Sequence, residues 1–365
     1  YLPIGTYIIN GTLTLKRNVH LTGASTMGGT IIQCAAGANY DMIRIGDGLV
    51  LGNGAYAMVS NLHLVGGPTA TSKTAGCGIR FYSSYMAKCF NVLFNYQWDA
   101  IKVDGHQTTG TEIVSSYIYS FQNNGVIFRV PNNGGQSMRD CWIQCYIGDG
   151  TSTYAAGAGV LWEQRDAISL DTVLILNSPT LGGLRIVGDP SYPENALTGS
   201  GVGVFRNCHF DAGTAAGVYI NKNGNRFGGL QFENCWAGYN QGYGVHIVDV
   251  DSFTWRGGNI TTNFAGGLRI DGGKNIHIDG TSIYRNATFG IHMASGVSET
   301  RITNNRITNA DLALGTTGGF TTQTTGIVYS GSHTNCIVTG NDLRGNSINA
   351  TTGTAPSGVV TNNLP

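Results

Sequence analysis

Hydrophobic residues return along this chain in a short phrase: a small residue, then apolar, any, apolar. It reads Ala100-Ile101-Lys102-Val103, Gly125-Val126-Ile127-Phe128, Gly159-Val160-Leu161-Trp162 and Gly183-Leu184-Arg185-Ile186. It continues as Gly217-Val218-Tyr219-Ile220, Gly244-Val245-His246-Ile247, Gly267-Leu268-Arg269-Ile270 and Gly290-Ile291-His292-Met293. Looser copies begin at Gly78, Gly326 and Gly358. The base period is near 23 residues, with extra residues inserted in some turns. Asn240, Asn263, Asn286 and Asn309 are spaced by 23 each time, and Phe253/Ile276, Trp255/Ile278 and Ile260/Ile283 keep that offset.

Inside the repeat, apolar positions alternate at period 2 and are rich in Ile, Val and Phe, which predicts strands. Gly and Asn punctuate them, the residues that best tolerate the left-handed backbone of tight corners. No segment carries a sustained helical period. The fixed leucine ladder of leucine-rich repeats is absent, and a propeller blade needs about 40 residues. The pattern predicts an all-β solenoid, a parallel β-helix with three short strands per turn. About ten to twelve coils fit in residues 1–365, read as a single domain without a linker. Inward residues stack on like residues from coil to coil, placing Trp162 and Trp255 in the core. Neither end of the chain shows an obvious cap for the outermost coils.

Composition narrows the classes. Gly is 55 of 365 and charged residues are only 12%, too few for a coiled coil. The 21 basic and 21 acidic residues cancel, which argues against nucleic acid held by bulk charge. With 41% hydrophobic residues the chain can build a core, and no apolar run is long enough to span a membrane. The eight cysteines form no CxxC pair and no zinc pattern. Cys141, Cys208 and Cys235 sit in similar runs and read as a column of free core thiols, which suggests assembly in a reducing cytoplasm. No metal, nucleotide or other cofactor is expected.

The opening phrases Leu2-Pro3-Ile4-Gly5-Thr6-Tyr7, Gly11-Thr12-Leu13-Thr14-Leu15 and Asn18-Val19-His20-Leu21-Thr22-Gly23 resemble the first coil of the pectate-lyase-like superfamily. More narrowly, they resemble its phage tailspike and polysaccharide-depolymerase branch. That resemblance implies a right-handed β-helix, a homotrimer, and a bacterial capsular, exo- or O-antigen polysaccharide as partner. It implies a place in the virion tail, with a secreted bacterial enzyme as the alternative. It also implies that an acidic helix and a strand precede Tyr1 in a longer chain. The catalytic phrases of polygalacturonases and classical pectate lyases are missing, and Asp104-Gly105-His106 is only an echo.

Outward positions of the phrase form columns. The third letter gives Lys102, Ile127, Leu161, Arg185, Tyr219, His246, Arg269 and His292. The fifth gives Asp104, Arg129, Glu163, Val187, Asn221, Val248 and Asp271. Asp104 and Glu163 fall two coils apart with Arg129 between, about 9–10 Å of backbone. Inverting glycosidases hold their carboxyls about 6.5–9.5 Å apart. One carboxyl would protonate the leaving oxygen and the other would activate water, with Arg129 keeping it ionised and Arg165 and Asp166 close by. The same trio is also how a sheet face neutralises itself.

Arg185, Tyr219, His246, Arg269, Asp271 and His292 would bind an acidic sugar chain, or form a solvated face. Trp142 and Trp236 are outward rings for the apolar face of a sugar. Extra residues at 131–158, 188–203 and 310–325 mark long loops, which on a rigid scaffold often carry function. Asp189 and Glu194 lie in the second of them. Three functions remain open: glycosidic hydrolysis, binding without catalysis as an adhesin or structural spike, and lyase or epimerase chemistry on a polyuronate. In the last, Lys102, Arg185, His246 or His292 would take the proton.

Overall fold

The computed structural model describes residues 1–48, 53–69, 73–105, 108–129, 135–145, 156–163, 167–177, 180–188, 201–224, 227–294, 296–309, 323–346 and 348–364. Among these residues the regular elements are strands, neighbouring strands pair in parallel, and no helix is long and apolar enough to cross a membrane. The chain divides into two compact units, one built on Tyr1–Arg185 and the other on Ser200–Pro365 together with Ile186–Glu194. Each is described by itself.

In the first unit the opening phrases become the strands Gly5–Ile9, Leu13–Leu15 and His20–Thr22. They pair with Thr30–Cys34, Ile43–Ile45 and Met58–Val65 of the next coil. Later coils repeat the plan with Cys77–Tyr82, Asp99–Asp104, Val126–Arg129 and Val160–Glu163 stacked in order. Alternation buries Ile101, Val103, Val126, Phe128, Val160 and Trp162, none more than 1% exposed.

The second unit is the more regular. Tyr243–Asp249 pairs with Gly266–Ile270, Phe253–Arg256 with Ile276–Asp279, and Asn259–Thr261 with Ser282–Tyr284. Phe253 lies over Ile276, Trp255 over Ile278 and Ile260 over Ile283, the 23-residue offset seen in the sequence. Trp255 is fully buried.

The small residue that opens the phrase is needed for close approach between coils. A Cβ on Gly125 would lie 2.4 Å from the Gly159 carbonyl oxygen, and one on Gly267 would lie 2.3 Å from that of Gly290. Neither glycine has positive φ, so space and not backbone freedom selects it. The corners use the other property. Asp140, Asn207 and Asn234 take φ of 54°, 52° and 53°, the left-handed region open to short polar side chains. Each is followed by a buried cysteine, and all eight cysteines are buried.

Asparagines form a buried ladder beside the lead glycines. Asn240 Nδ2 donates to Asn263 Oδ1 at 2.9 Å, and Asn263 Nδ2 to Asn286 Oδ1 at 2.8 Å. Each Nδ2 also reaches a main-chain carbonyl, that of Phe210, Ala237 or Ile260. The next rung is not Asn309, which the 23-residue spacing suggests. Gln323 takes it, receiving Asn286 Nδ2 on Oε1, while Asn309 Oδ1 accepts the Gln323 main-chain N–H.

Candidate functional site

The strand Asp99–Asp104 carries the first expected carboxylate. Asp104 is in register with Arg129, and Arg129 with Glu163, so the three stack on successive coils as the repeat spacing predicts. Their chemistry is less open than that spacing implies. Asp104 is buried, 6% exposed, where the outward column placed it in solvent. Arg80 of the preceding coil clamps both its oxygens, Nε to Oδ1 and Nη2 to Oδ2, each at 2.8 Å. Lys102 Nζ adds a contact of 3.2 Å. Arg80 also reaches Asp41, which is paired with Arg44 at 3.0 Å, and its guanidinium lies 4.0 Å over the Tyr82 ring. Burial pushes the Asp41 carboxyl up, but hydrogen bonds from Cys77 and Arg44 and the Arg80 charge outweigh it and hold the group low. Glu163 is half-buried and accepts a hydrogen bond from Arg129 Nε.

Arg165 and Asp166, and likewise Asp189 and Glu194, lie outside the described residues. Arg185 stands on the strand Leu184–Val187 with its side chain half-buried.

The second unit gathers more. Tyr219, His246, Arg269 and His292 are in register on four successive coils. Asp271 sits at the centre of the cluster. Its Oδ2 is 2.8 Å from His246 Nε2, and its Oδ1 accepts Arg269 Nε at 2.7 Å. Arg269 Nη1 donates to the Tyr243 hydroxyl at 2.9 Å. Rings surround these groups: Tyr219 and Tyr243 stand edge-on to His246 at 5.4 and 5.2 Å, and Phe289 stacks on Tyr243 at 5.9 Å. His292 contacts Phe289 edge-on and its Nε2 is 2.8 Å from Ser330 Oγ.

The charges have identifiable causes. Partial burial raises the Asp271 carboxyl, yet the hydrogen bonds from His246 and Arg269 prevail and hold it below the usual carboxylate range. Burial lowers the His292 imidazole, and the Arg269 charge adds to that. The result is a half-buried surface with an ionised carboxylate tying an imidazole to a guanidinium. The fifth-letter column does not continue evenly here. A bulge after Ile220 sets Asn221 against Asp249, not Val248.

Trp142 and Trp236 both lie on outer faces, each stacked on an aromatic residue of the preceding coil. Trp142 lies 6.2 Å from Tyr117 and Trp236 lies 6.2 Å from His209. Sequence reasoning missed Arg80 and Tyr243. Arg80 follows Ile79 in the loose copy beginning at Gly78, and Tyr243 directly precedes a lead glycine; these positions were the available signal. Among the described residues no group of three His, Cys, Asp or Glu side chains is placed to hold a metal ion.

A family model described as right handed beta helix region matches residues 196–364. No curated protein sequence matches the chain. Among solved structures, tailspike protein 3 of bacteriophage CBA120 is similar at 12% identity and a TM-score of 0.64, over 98% of this chain and 56% of that one. This chain therefore spans little more than half of that tailspike. The A-module of the mannuronan C-5 epimerase AlgE4 from Azotobacter vinelandii is similar at 16% identity and 0.52, over 97% and 90%. The catalytic unit of an α-1,3-glucanase from Streptomyces thermodiastaticus strain HF3-3 is similar at 14% identity and 0.50, over 93% and 62%. At such identities the likeness is one of fold, and the chain is a right-handed parallel β-helix.

Proposed function

We propose that the protein is a tailspike-like β-helix of a phage virion that acts on an acidic bacterial surface polysaccharide through the Tyr219–His292 face of its second unit. The observation that carries this reading is Asp271 bridging His246 and Arg269 inside a ring of aromatic side chains. Arg269, oriented by Asp271 through Nε and by the Tyr243 hydroxyl through Nη1, would present the rest of its guanidinium edge to a sugar carboxylate. Tyr219, Tyr243 and Phe289 offer flat apolar surface to pyranose faces. The similar tailspike and polysaccharide-modifying enzymes support a carbohydrate partner, and the tailspike likeness supports a homotrimer in the tail.

The same cluster has the parts for elimination. Arg269 would draw charge from the uronate carboxyl and acidify the neighbouring C–H. The His246 imidazole would take that proton. Its electron pair would form the new carbon–carbon double bond, the glycosidic C–O bond would break, and the leaving oxygen would take a proton from the Tyr243 hydroxyl. A second reading is glycosidic hydrolysis at Asp104 and Glu163, and the observation favouring it is their alignment through Arg129. The Arg80 clamp counts against Asp104 as a proton donor, because both its oxygens already accept hydrogen bonds.

One experiment separates these. The protein is incubated with acidic capsular polysaccharide or polyuronate, and shortened chains and unsaturated-uronate absorbance are followed. Elimination gives both signals, and H246A and R269A should lower the rate by about a hundredfold or more while circular dichroism is unchanged. Under this reading E163Q stays active. Chain shortening without the absorbance, abolished by E163Q and retained by H246A, would establish hydrolysis instead.

A further inference from the structure

In the first unit a groove of about 540 Å³ opens over the outer face of the strands Lys88–Asn95, Tyr117–Ile118 and Trp142–Gln144. Its wall is aromatic. Tyr117 and Trp142 hold the same register position on successive coils, and their rings are 6.2 Å apart and within 19° of parallel. Tyr117 is 53% exposed, Tyr119 42% and Trp142 37%. Three adjacent rings left in water mark a surface that gains by being covered.

The polar groups decide what covers it. Asn91, Asn95 and Gln144 line the groove, and no Asp, Glu, Lys or Arg does among the described residues. Gln144 Oε1 accepts the Trp142 indole N–H at 3.2 Å, and Asn91 Nδ2 donates to Asn61 Oδ1 at 2.7 Å. The Asn95 side chain adds a third amide to this uncharged wall. A charged sugar would lose hydration here with no counter-charge to replace it. A purely apolar ligand would cover the rings but strip water from the Asn91, Asn95 and Gln144 amides that line the groove. An uncharged pyranose satisfies both, with an apolar C–H face and hydroxyl donors at its edge.

We propose that this groove is a neutral-sugar subsite, with an uncharged pyranose of a glycan stacked on Tyr117 and Trp142 and its hydroxyls turned to the amide side chains of the wall. The proposal rests on the reading of the protein as polysaccharide-acting and adds to it. The glycan then contains uncharged residues as well as the acidic ones taken by the second unit. Adjacent coils lie about 4.8 Å apart, so the two rings can hold one or two consecutive sugars.

The test uses the whole chain labelled with 5-fluorotryptophan and followed by fluorine NMR. The Trp142 resonance is assigned by its loss in W142F. The probes are the methyl glycosides of glucose, galactose, mannose and rhamnose, with methyl glucuronide as the charged control. The expected result is a saturable shift of the Trp142 resonance with at least one neutral glycoside and a weaker response to the glucuronide. Y117A should weaken that binding by up to about tenfold with unchanged melting temperature. The proposal is overturned if no neutral glycoside moves the resonance. It is also overturned if the resonance responds only to protein concentration, which would make the groove a contact between copies of this chain. Loss of neutral-sugar binding with polysaccharide cleavage intact removes the subsite alone. Neutral-sugar binding with acidic polysaccharide left untouched removes the functional reading alone.

Discussion

Asp41, Arg44, Arg80, Lys102 and Asp104 form a chain of ion pairs on three consecutive coils of the first unit. Two of its carboxylates are buried, and Arg80 reaches both of them while Arg44 and Lys102 each reach one, so much of their cost is offset through Arg80. Arg80→Ala should therefore destabilise the protein by about 3–5 kcal/mol, because it leaves two buried charges short of a partner. Glu163→Gln, on a half-exposed pair with Arg129, should cost no more than about 1 kcal/mol. Urea unfolding of both variants checks this, and equal midpoints would show that the clamp has no structural weight. The contrast also explains what the sequence hid. Alternation placed Asp104 outward correctly, but outward is not exposed. Arg80 and Tyr82 of the coil before lie beside it, and the loose phrase at Gly78 gave no reason to count them.

The coil is the element of this fold, and it is held by contacts that neighbouring coils share. Asn263 is the clearest case. Its Oδ1 takes donors from the Asn240 side chain and main chain, and its Nδ2 serves Asn286 and the Ala237 carbonyl. Asn263→Ala strands those buried groups together and should cost about 2–4 kcal/mol. An exposed control of the same type with ordinary backbone angles, such as Asn10→Ala, should cost less than about 0.5 kcal/mol. Similar losses at both positions in thermal melts would show that the ladder is not a structural device. The ladder was legible because its rungs are one type at one spacing. It stopped being legible at Asn309, since residues inserted before the next coil pass the rung to Gln323 and spacing alone cannot follow a change of residue type. The bulge at Asn221 has the same effect on an outward column: one extra residue changes the partner without changing the phrase. The His246–Arg269–Asp271 group survived because its coils lie in the stretch without insertions. Tyr243 escaped notice because it stands outside the phrase.

For the whole molecule, charge balance sets a further expectation. With 21 basic and 21 acidic residues, there is no net charge to draw a polyanion toward the protein. Attraction to an acidic polysaccharide must then come from local groups, chiefly Arg269. Half-exposed charges of this kind are screened by salt, with a Debye length of about 10 Å at 0.1 M and about 3 Å at 1 M. Affinity for the acidic polysaccharide should fall steadily as salt rises, and R269A should flatten that dependence. Stacking on Tyr117 and Trp142 involves no charge, so binding of a neutral glycoside should stay within about twofold over the same range. Calorimetric titrations at several salt concentrations measure both slopes on one preparation. Equal slopes would mean that a single kind of contact holds both ligands, and the division of labour between a charged face and an uncharged groove would have to be abandoned. Unequal slopes that R269A makes equal would tie the difference to one guanidinium on one coil.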